Sequence, residues 1–138
     1  LLGRADFISI HSPATELTHH LIDDRAVSKM KPGVILVNTA RGPICDLNAV
    51  YNGLKSGQIG AAGLDVFDPE PPRADHPLML AWRSREAWLE GRFVATPHAA
   101  WYSPTSAKIL REKALETCLI YLRDATLRNC VNREYLDT

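Results

Sequence analysis

The sequence lacks the features typical of proteins that span a membrane or that bind nucleic acid or anionic lipid through a net charge. It has no run of about 18 apolar residues, so it predicts no membrane span. Its 16 basic and 16 acidic side chains cancel, so no net field favours direct binding to nucleic acid or to anionic lipid. With 138 residues, 46% of them apolar and 23% charged, the chain has the composition of an ordinary globular protein.

Cysteine is also scarce, with only Cys45, Cys118 and Cys130 present. An odd number at wide spacing fits neither a disulfide framework nor a CxxC metal site, so we interpret these residues as reduced thiols of a cytoplasmic protein. The adjacent histidines His19 and His20 complete no HxxxH or carboxylate spacing. We therefore expect no metal site.

The glycine-rich loop that opens a dinucleotide-binding fold is absent as well. The nearest match, residues 57–63, has the wrong glycine spacing and leads from a predicted helix into a predicted strand, the reverse of the required order. Gly57 is better explained as a helix cap. The chain also starts at Leu1 rather than at a methionine, without the basic head and apolar stretch of a signal peptide. We expect it to be part of a longer protein.

What is present is an alternation of strands and helices. Short apolar segments predict strands at residues 7–11, 34–37, 61–66 and 93–96. Predicted helices cover residues 25–31, the segment from Asp46 to Gly57, residues 81–89, and a long stretch from Pro104 to about Arg123. This alternation predicts an α/β fold with a mostly parallel sheet, the second half of a doubly wound, Rossmann-type domain. The long last helix is expected to lead away from the sheet.

Polar residues follow three of the predicted strands, where open α/β sheets bind their ligands. Arg41 follows the second strand, Asp65 and Glu70 follow the third, and His98 follows the fourth. Taken alone, each residue also has a simpler structural explanation: a surface ion pair for Arg41, loop solvation for Glu70, and a packing role for His98. Because all of these residues are predicted to lie at the same edge of one sheet, we favour a single site that contains them.

The chemistry that these residue types suit is hydride transfer to or from a small acid. Arginine binds a carboxylate through two parallel hydrogen bonds. A histidine oriented by a carboxylate exchanges the hydroxyl proton while hydride leaves or reaches the carbon. The hydride must come from a cofactor, since no side chain supplies one.

These segments, taken in order, resemble the D-isomer-specific 2-hydroxyacid dehydrogenases. The matching segments span nearly the whole chain, at residues 5–13, 30–33, 37–42, 63–67, 69–71 and 96–98. The resemblance implies an oxidoreductase that interconverts a 2-oxoacid and a D-2-hydroxyacid with NAD, and a homodimer of the full-length protein. NADP is left open, because the residue that selects against it lies on a strand that precedes this chain.

The resemblance also implies roles for individual residues. Arg41 matches the substrate-binding arginine, Glu70 the acid paired with the catalytic histidine, and His98 that histidine. Asp65 matches an aspartate near the nicotinamide. The expected cofactor-binding residues are His11, Ser12, Pro13, Thr15, Asn38, Thr39, Ala40, Arg41, Asp65, His98 and Ala100. The expected substrate contacts are Arg41, His98 and Trp101.

Two segments, residues 98–103 and 127–132, are similar to the branch that includes the C-terminal-binding proteins, animal transcriptional corepressors with this fold. An NAD(H)-sensing protein-interaction module is therefore an alternative to the enzyme. Residues 80–92 depart from the family pattern as an apparent insertion with Trp82 and Trp88. Three roles are open for these tryptophans: they anchor the insertion, they make a subunit contact, or they contact a ligand.

The resemblance further divides the chain in two. Residues 1–102 are expected to be the carboxy-terminal half of an NAD-binding domain, and residues 103–138 a helix and tail that pack toward a substrate domain outside this chain. Without those other parts, the strand at residues 7–11 exposes an edge. We therefore expect the isolated chain to be inactive, to bind NAD weakly or not at all, and to self-associate.

Overall fold

A parallel sheet forms the centre of the molecule in the computed structural model, which describes residues 1–135. Its strands are β1 (Phe7–Ile10), β2 (Val34–Asn38), β3 (Ile59–Leu64) and β4 (Phe93–Ala95). They pair in the order β1-β2-β3-β4, and every neighbouring pair is parallel. The predicted α/β fold with a parallel sheet is confirmed. All four strands end at the same edge of the sheet.

Within residues 1–135, four α-helices accompany these strands: α1 (Asp24–Ser28), α2 (Leu47–Ser56), α3 (Pro77–Arg83) and α4 (Pro104–Asp124). Side chains cap the first two, as Asp23 accepts the N–H of Ala26 and Asp46 accepts the N–H of Asn48. Gly57 ends α2 with φ +82°, a left-handed conformation that glycine adopts without strain.

The core lies where α2 packs against β3 and α1 packs against α2. Leu36 of β2, Ile59 of β3, and Val50 and Leu54 of α2 are fully buried there. Burial of these side chains in one core cluster holds β2 and β3 in place. The loops that follow the two strands are thereby positioned at the carboxyl edge.

The helix predicted at residues 81–89 is wrong in its bounds, since α3 runs from Pro77 to Arg83. The N-cap is His76, whose Nδ1 accepts the N–H of Leu78 at 3.2 Å, with Pro77 in the first turn. Arg85 then adopts φ +52°, which ends the helical conformation. The apolar pattern of the insertion concealed this earlier start.

Trp82 and Trp88, in the segment predicted to be an insertion, pack against aromatic side chains of the same unit. Trp88 meets Tyr51 edge to face, with ring centroids 5.9 Å apart. Trp82 meets Phe93 of β4 in the same way at 6.0 Å. These contacts support the anchoring role among the three alternatives.

The chain divides into two compact units, Leu1–Ala100 and Trp101–Thr138. In the second unit, Ser103 caps α4 through a capping box with Ser106, and Ala125 ends the helix. No helix within residues 1–135 is both long enough and apolar enough to cross a bilayer. Residues 136–138 of the predicted tail lie outside the described residues, and packing toward a substrate domain stays a prediction.

Candidate active site

The predicted site residues of the first unit all lie at the carboxyl ends of strands or just after them. The segment with His11, Ser12, Pro13 and Thr15 follows β1, the segment 38–41 ends and follows β2, and His98 follows β4. Because these strands are parallel, their carboxyl ends meet at one edge. Trp101, predicted to contact substrate, belongs to the second unit.

The turn after β2 is fixed by Asn38, whose side chain is fully buried. Its Oδ1 accepts the N–H of Ala40 at 3.0 Å, and its Nδ2 donates to the carbonyl of Arg41 at 2.9 Å. The amide also donates to the Sγ of Cys45 at 3.5 Å. These bonds give Asn38 a positioning role in the turn that carries Thr39 and Arg41, and its predicted contact with the cofactor stays a prediction.

Gly42 brings this turn against the loop after β3. A Cβ at this position would lie 1.8 Å from the carbonyl oxygen of Phe67 and 2.8 Å from the nitrogen of Asp68. Only glycine permits so close an approach of two backbones. The Arg41 turn and the Glu70 loop are therefore held side by side.

Asp65, the first residue after β3, joins that strand to the loop after β4. Its carboxylate accepts the N–H groups of Ala99 and Ala100 at 2.8 and 2.9 Å, and the hydroxyl of Thr96. Burial by itself would raise the pKa of Asp65, but these hydrogen bonds outweigh it and lower the pKa below its ordinary value. Asp65 is thus a buried carboxylate, stabilised in its charged form, that fixes the backbone around His98.

His98 and Glu70 form a direct pair across two loops. The Nδ1 of His98 lies 2.7 Å from Oε1 of Glu70, and Oε2 of Glu70 accepts the N–H of Phe67 at 3.2 Å. The bond from His98, followed by that from Phe67, lowers the pKa of Glu70 below its ordinary value. The ionised carboxylate therefore selects the Nδ1–H form of the ring and leaves Nε2 available.

The backbone of His98 is strained, with φ +53°. A non-glycine residue with positive φ persists only when surrounding contacts hold it there. Here the N–H of His98 donates to the carbonyl of Asp65 at 2.8 Å, and the Asp65 carboxylate binds the next two N–H groups. The imidazole is nevertheless reachable from solvent, since 43% of the side chain is exposed.

These residues line a hollow of about 370 Å³. Its lining includes Asp65, Phe67 and Glu70 from the segment after β3, and Thr96 and His98 from the segment after β4. A hollow of this size accommodates a small ligand fragment such as a short acid.

Arg41, predicted to bind the substrate carboxylate, is exposed at the same edge. Its Nη1 donates to the carbonyl of Ala40 at 2.7 Å. Within residues 1–135 the guanidinium makes no ion pair and no hydrogen bond with Glu70 or His98. Its remaining donors are available to an anion.

The loop after β1 is organised by its own hydroxyl groups. Thr18 Oγ1 donates to the carbonyl of Pro13 at 2.7 Å and accepts the N–H of Thr15 at 2.8 Å. Nε2 of His11 lies 2.8 Å from Oγ of Ser9. This loop makes no hydrogen bond to the His98–Glu70 pair among the described residues.

The sequence analysis included Gly42 and Thr96 in matching segments but gave no role to them or to Thr18, and in the structure these three residues position the loops of the site. Thr96 lies directly before the Pro97–His98 pair, so its place after a strand was the available signal. The close approach at Gly42 had no such signal, because it depends on a backbone far along the chain.

A parallel sheet with a histidine–carboxylate pair and an exposed arginine at its carboxyl edge places this chain among the open α/β proteins, a class whose ligands bind at that edge. Residues 1–100 match the family model described as "D-isomer specific 2-hydroxyacid dehydrogenase, NAD binding domain". The chain therefore belongs to the D-isomer specific 2-hydroxyacid dehydrogenase family.

Named relatives agree with this assignment. The chain is 40% identical over 116 residues to a putative 2-hydroxyacid dehydrogenase of Haemophilus influenzae, covering 84% of this chain and 35% of the relative. It is 40% identical over 134 residues to a glyoxylate reductase of Korarchaeum cryptofilum, covering 97% and 38%. The chain thus spans little more than a third of the length of these relatives.

Among solved structures, the chain is similar to a D-lactate dehydrogenase of Aquifex aeolicus complexed with NAD and lactic acid. The TM-score is 0.75 at 32% identity, covering 89% of this chain and 39% of the other. The predicted family is confirmed. The narrower resemblance to the corepressor branch is not confirmed by these matches and stays a prediction.

Proposed function

We propose that this chain carries the acid–base half of an NAD-dependent D-2-hydroxyacid dehydrogenase, which interconverts a 2-oxoacid and a D-2-hydroxyacid. The observation that carries the proposal is the 2.7 Å contact between His98 Nδ1 and Glu70 Oε1 at the carboxyl edge of the sheet. The family assignment supports it, as do the names of the relatives.

His98 is the proton-transfer residue in this proposal. With Nδ1 donating to Glu70, the neutral ring presents the Nε2 lone pair, which accepts the hydroxyl proton of a 2-hydroxyacid. In the other direction the imidazolium gives that proton to the carbonyl oxygen of a 2-oxoacid. The Glu70 carboxylate stabilises the positive charge on the ring in either direction.

Arg41 binds the substrate carboxylate and polarises the neighbouring carbonyl group. Its guanidinium is exposed and has donors beyond the one used by Ala40. A planar pair of donors fixes the plane of a carboxylate, which orients the adjacent carbon. Trp101 is proposed as a further substrate contact.

The residues at the carboxyl edge fit a nicotinamide cofactor by the chemistry of their donors. Thr39 and Arg41 are exposed donors after β2, and the hydroxyl-rich turn of Thr15 and Thr18 follows β1. When bound, NAD supplies or accepts the hydride. The proposed contacts are His11, Ser12, Pro13, Thr15, Asn38, Thr39, Ala40, Arg41, Asp65, His98 and Ala100.

The test is oxidation of NADH or NADPH by a panel of 2-oxoacids, followed by nicotinamide absorbance with the protein in its full length. His98→Asn removes the proton-transfer group and keeps a residue that tolerates positive φ. We expect kcat to fall by about 10²-fold or more with cofactor affinity retained. Glu70→Gln should lower kcat less, because it removes the charge and keeps an acceptor.

Glu90→Gln is the matched control, since Glu90 is exposed and lies outside the site. Its kcat should equal that of the wild type. Turnover by His98→Asn at the wild-type rate would refute the acid–base role. Absence of turnover with every oxoacid, combined with intact cofactor binding, would instead favour the NAD(H)-sensing interaction module. A homodimer and a cytoplasmic location remain part of the proposal.

A further inference from the structure

A second hollow, of about 520 Å³, lies beside α2 and α3 and has six histidine and aspartate side chains on its wall. Three of them already have partners: Asp46 caps α2, His76 caps α3, and Asp75 forms an ion pair with Arg73 at 2.9 Å. The other three are His19, His20 and Asp68. Among the described residues, the side chains of these three have no such partner.

Within residues 1–135, the side chains of His19, His20 and Asp68 make no hydrogen bond and no ion pair, and all three are exposed. The turn that carries the two histidines is held in place by backbone hydrogen bonds. The N–H of His19 donates to the carbonyl of Thr15 at 2.9 Å, and that of His20 donates to the carbonyl of Pro43 at 2.8 Å.

The backbone also brings the two imidazoles to the same side. His20 adopts φ +50°, and the rings of His19 and His20 stack with centroids 4.0 Å apart. Asp68 comes from the loop after β3, which the close contact at Gly42 holds in place. The result is that one ligand atom from each of the three residues lies within 4.8 Å of the other two.

We propose that His19, His20 and Asp68 form a binding site for one divalent transition-metal ion of the zinc type. Two imidazole nitrogens and one carboxylate oxygen suit Zn²⁺, Co²⁺, Ni²⁺ and Cu²⁺, whereas Mg²⁺ and Ca²⁺ prefer oxygen ligands alone. Metal bonds of about 2.1 Å require ligand atoms about 3.4 Å apart in a tetrahedral site. Rotation of the exposed side chains supplies the contraction from at most 4.8 Å, which is up to about 1.4 Å, and water completes the coordination.

The sequence spacing predicted no metal site because the ligands come from separate segments. His19 and His20 follow β1, whereas Asp68 follows β3, and only the parallel sheet brings these loops together. Asp68 stands two residues before Glu70 in the chain. A bound ion would therefore tie the Glu70 loop to the turn after β1.

The test is titration of the full chain, free of any polyhistidine tag, with Zn²⁺ by calorimetry and with Co²⁺ by visible absorption. We expect one saturable site, a Co²⁺ spectrum of imidazole-bound metal, and no heat from Mg²⁺ at the same concentrations. Saturating Zn²⁺ should also raise the melting temperature, because the ion binds the folded state.

Three variants, His19→Gln, His20→Asn and Asp68→Asn, should each weaken Zn²⁺ binding by at least about tenfold. Asn is chosen at position 20 because it tolerates positive φ. The matched controls are His11→Gln and Asp75→Asn, of which the second lines the same hollow. Unchanged affinity in these controls supports the site. Absence of a saturable Zn²⁺ signal, or equal affinity in Asp68→Asn and Asp75→Asn, overturns it.

Discussion

The backbone N–H of His98 donates to the carbonyl oxygen of Asp65 at 2.8 Å, while the Asp65 carboxylate binds the N–H groups of Ala99 and Ala100. Main chain and side chain of one aspartate therefore hold three consecutive residues of the loop after β4. The positive φ of His98 is sustained by these bonds. Asp65, predicted from the family resemblance to lie near the cofactor, has this further structural role.

Replacing Asp65 with Asn should destabilise the protein and disorder the His98 loop. An amide has one oxygen, so its NH₂ group would face a backbone N–H or the Thr96 hydroxyl where a carboxylate oxygen accepts now. Loss of one buried hydrogen bond costs about 1–3 kcal/mol in the free energy of unfolding. Urea denaturation measures the change, and the exposed Glu90→Gln should leave the midpoint unaltered.

Asp65→Asn should also make the free energy of unfolding less dependent on pH in the acid range. The folded-state pKa of Asp65 is lower than its ordinary value, so its contribution is present above the unfolded-state pKa of about 4 and is lost as pH falls through the folded value. The wild-type free energy of unfolding should therefore fall more steeply below about pH 4 than that of Asp65→Asn. Parallel curves for the two proteins would contradict the assignment.

Gly42→Ala should be among the most destabilising single-methyl additions in the chain. The new Cβ would lie 1.8 Å from the carbonyl oxygen of Phe67, so the backbones must separate. We expect a loss of at least about 3 kcal/mol. Gly63→Ala is the control, because a Cβ there meets nothing within 4 Å. The free energy of unfolding of Gly63→Ala should be the same as that of the wild type or higher by up to about 1 kcal/mol. Similar losses of stability in both variants would contradict the close contact at Gly42.

Arg92 should be a strong determinant of stability outside the site. Its guanidinium donates at 2.7–2.8 Å to four backbone carbonyls, those of Leu54, Ile59, Gly60 and Trp88. Arg92→Met should lower the free energy of unfolding by about 2–4 kcal/mol, because charged hydrogen bonds are lost and carbonyls are left unsatisfied. Arg83→Met, at an exposed arginine, should change it by no more than about 0.5 kcal/mol.

The cysteines should differ sharply in thiol reactivity. Burial raises the pKa of Cys45 to about 12, against the smaller opposing effect of the Asn38 hydrogen bond, whereas Cys118 is exposed. With a thiol reagent at about pH 8, Cys118 should be modified at once and Cys45 only after unfolding in urea. Peptide mass mapping distinguishes the two cysteines. Rapid labelling of Cys45 in the folded protein would contradict the burial of its thiol.

Arg41→Lys should separate substrate binding from proton transfer. Lysine keeps the charge and loses the planar pair of donors, so kcat/KM for a 2-oxoacid should fall, by about 10-fold or more, chiefly through KM. The change rests on the proposed function and is measured in the same nicotinamide assay. A loss confined to kcat would point to a different role for Arg41.

Local signals in the sequence predicted most of the fold correctly. Apolar runs located the four strands, Asp46 and Gly57 marked the limits of α2, and Ser103 marked the start of α4. These succeeded because caps and strand runs depend on neighbouring residues. The prediction failed at α3, where the cap is a histidine, a residue that is not a preferred N-cap.

The sequence by itself determined which chemical groups the chain carries, and the tertiary structure decided which of them meet. His98 and Glu70 were predicted as a pair through the family pattern, and their contact is made by two loops that β3 and β4 bring together. The two-sided hydrogen bonding of Asp65, the backbone approach at Gly42 and the group formed by His19, His20 and Asp68 had no sequence signal. Each joins segments far apart in the chain, and only the register of a parallel sheet fixes their distance.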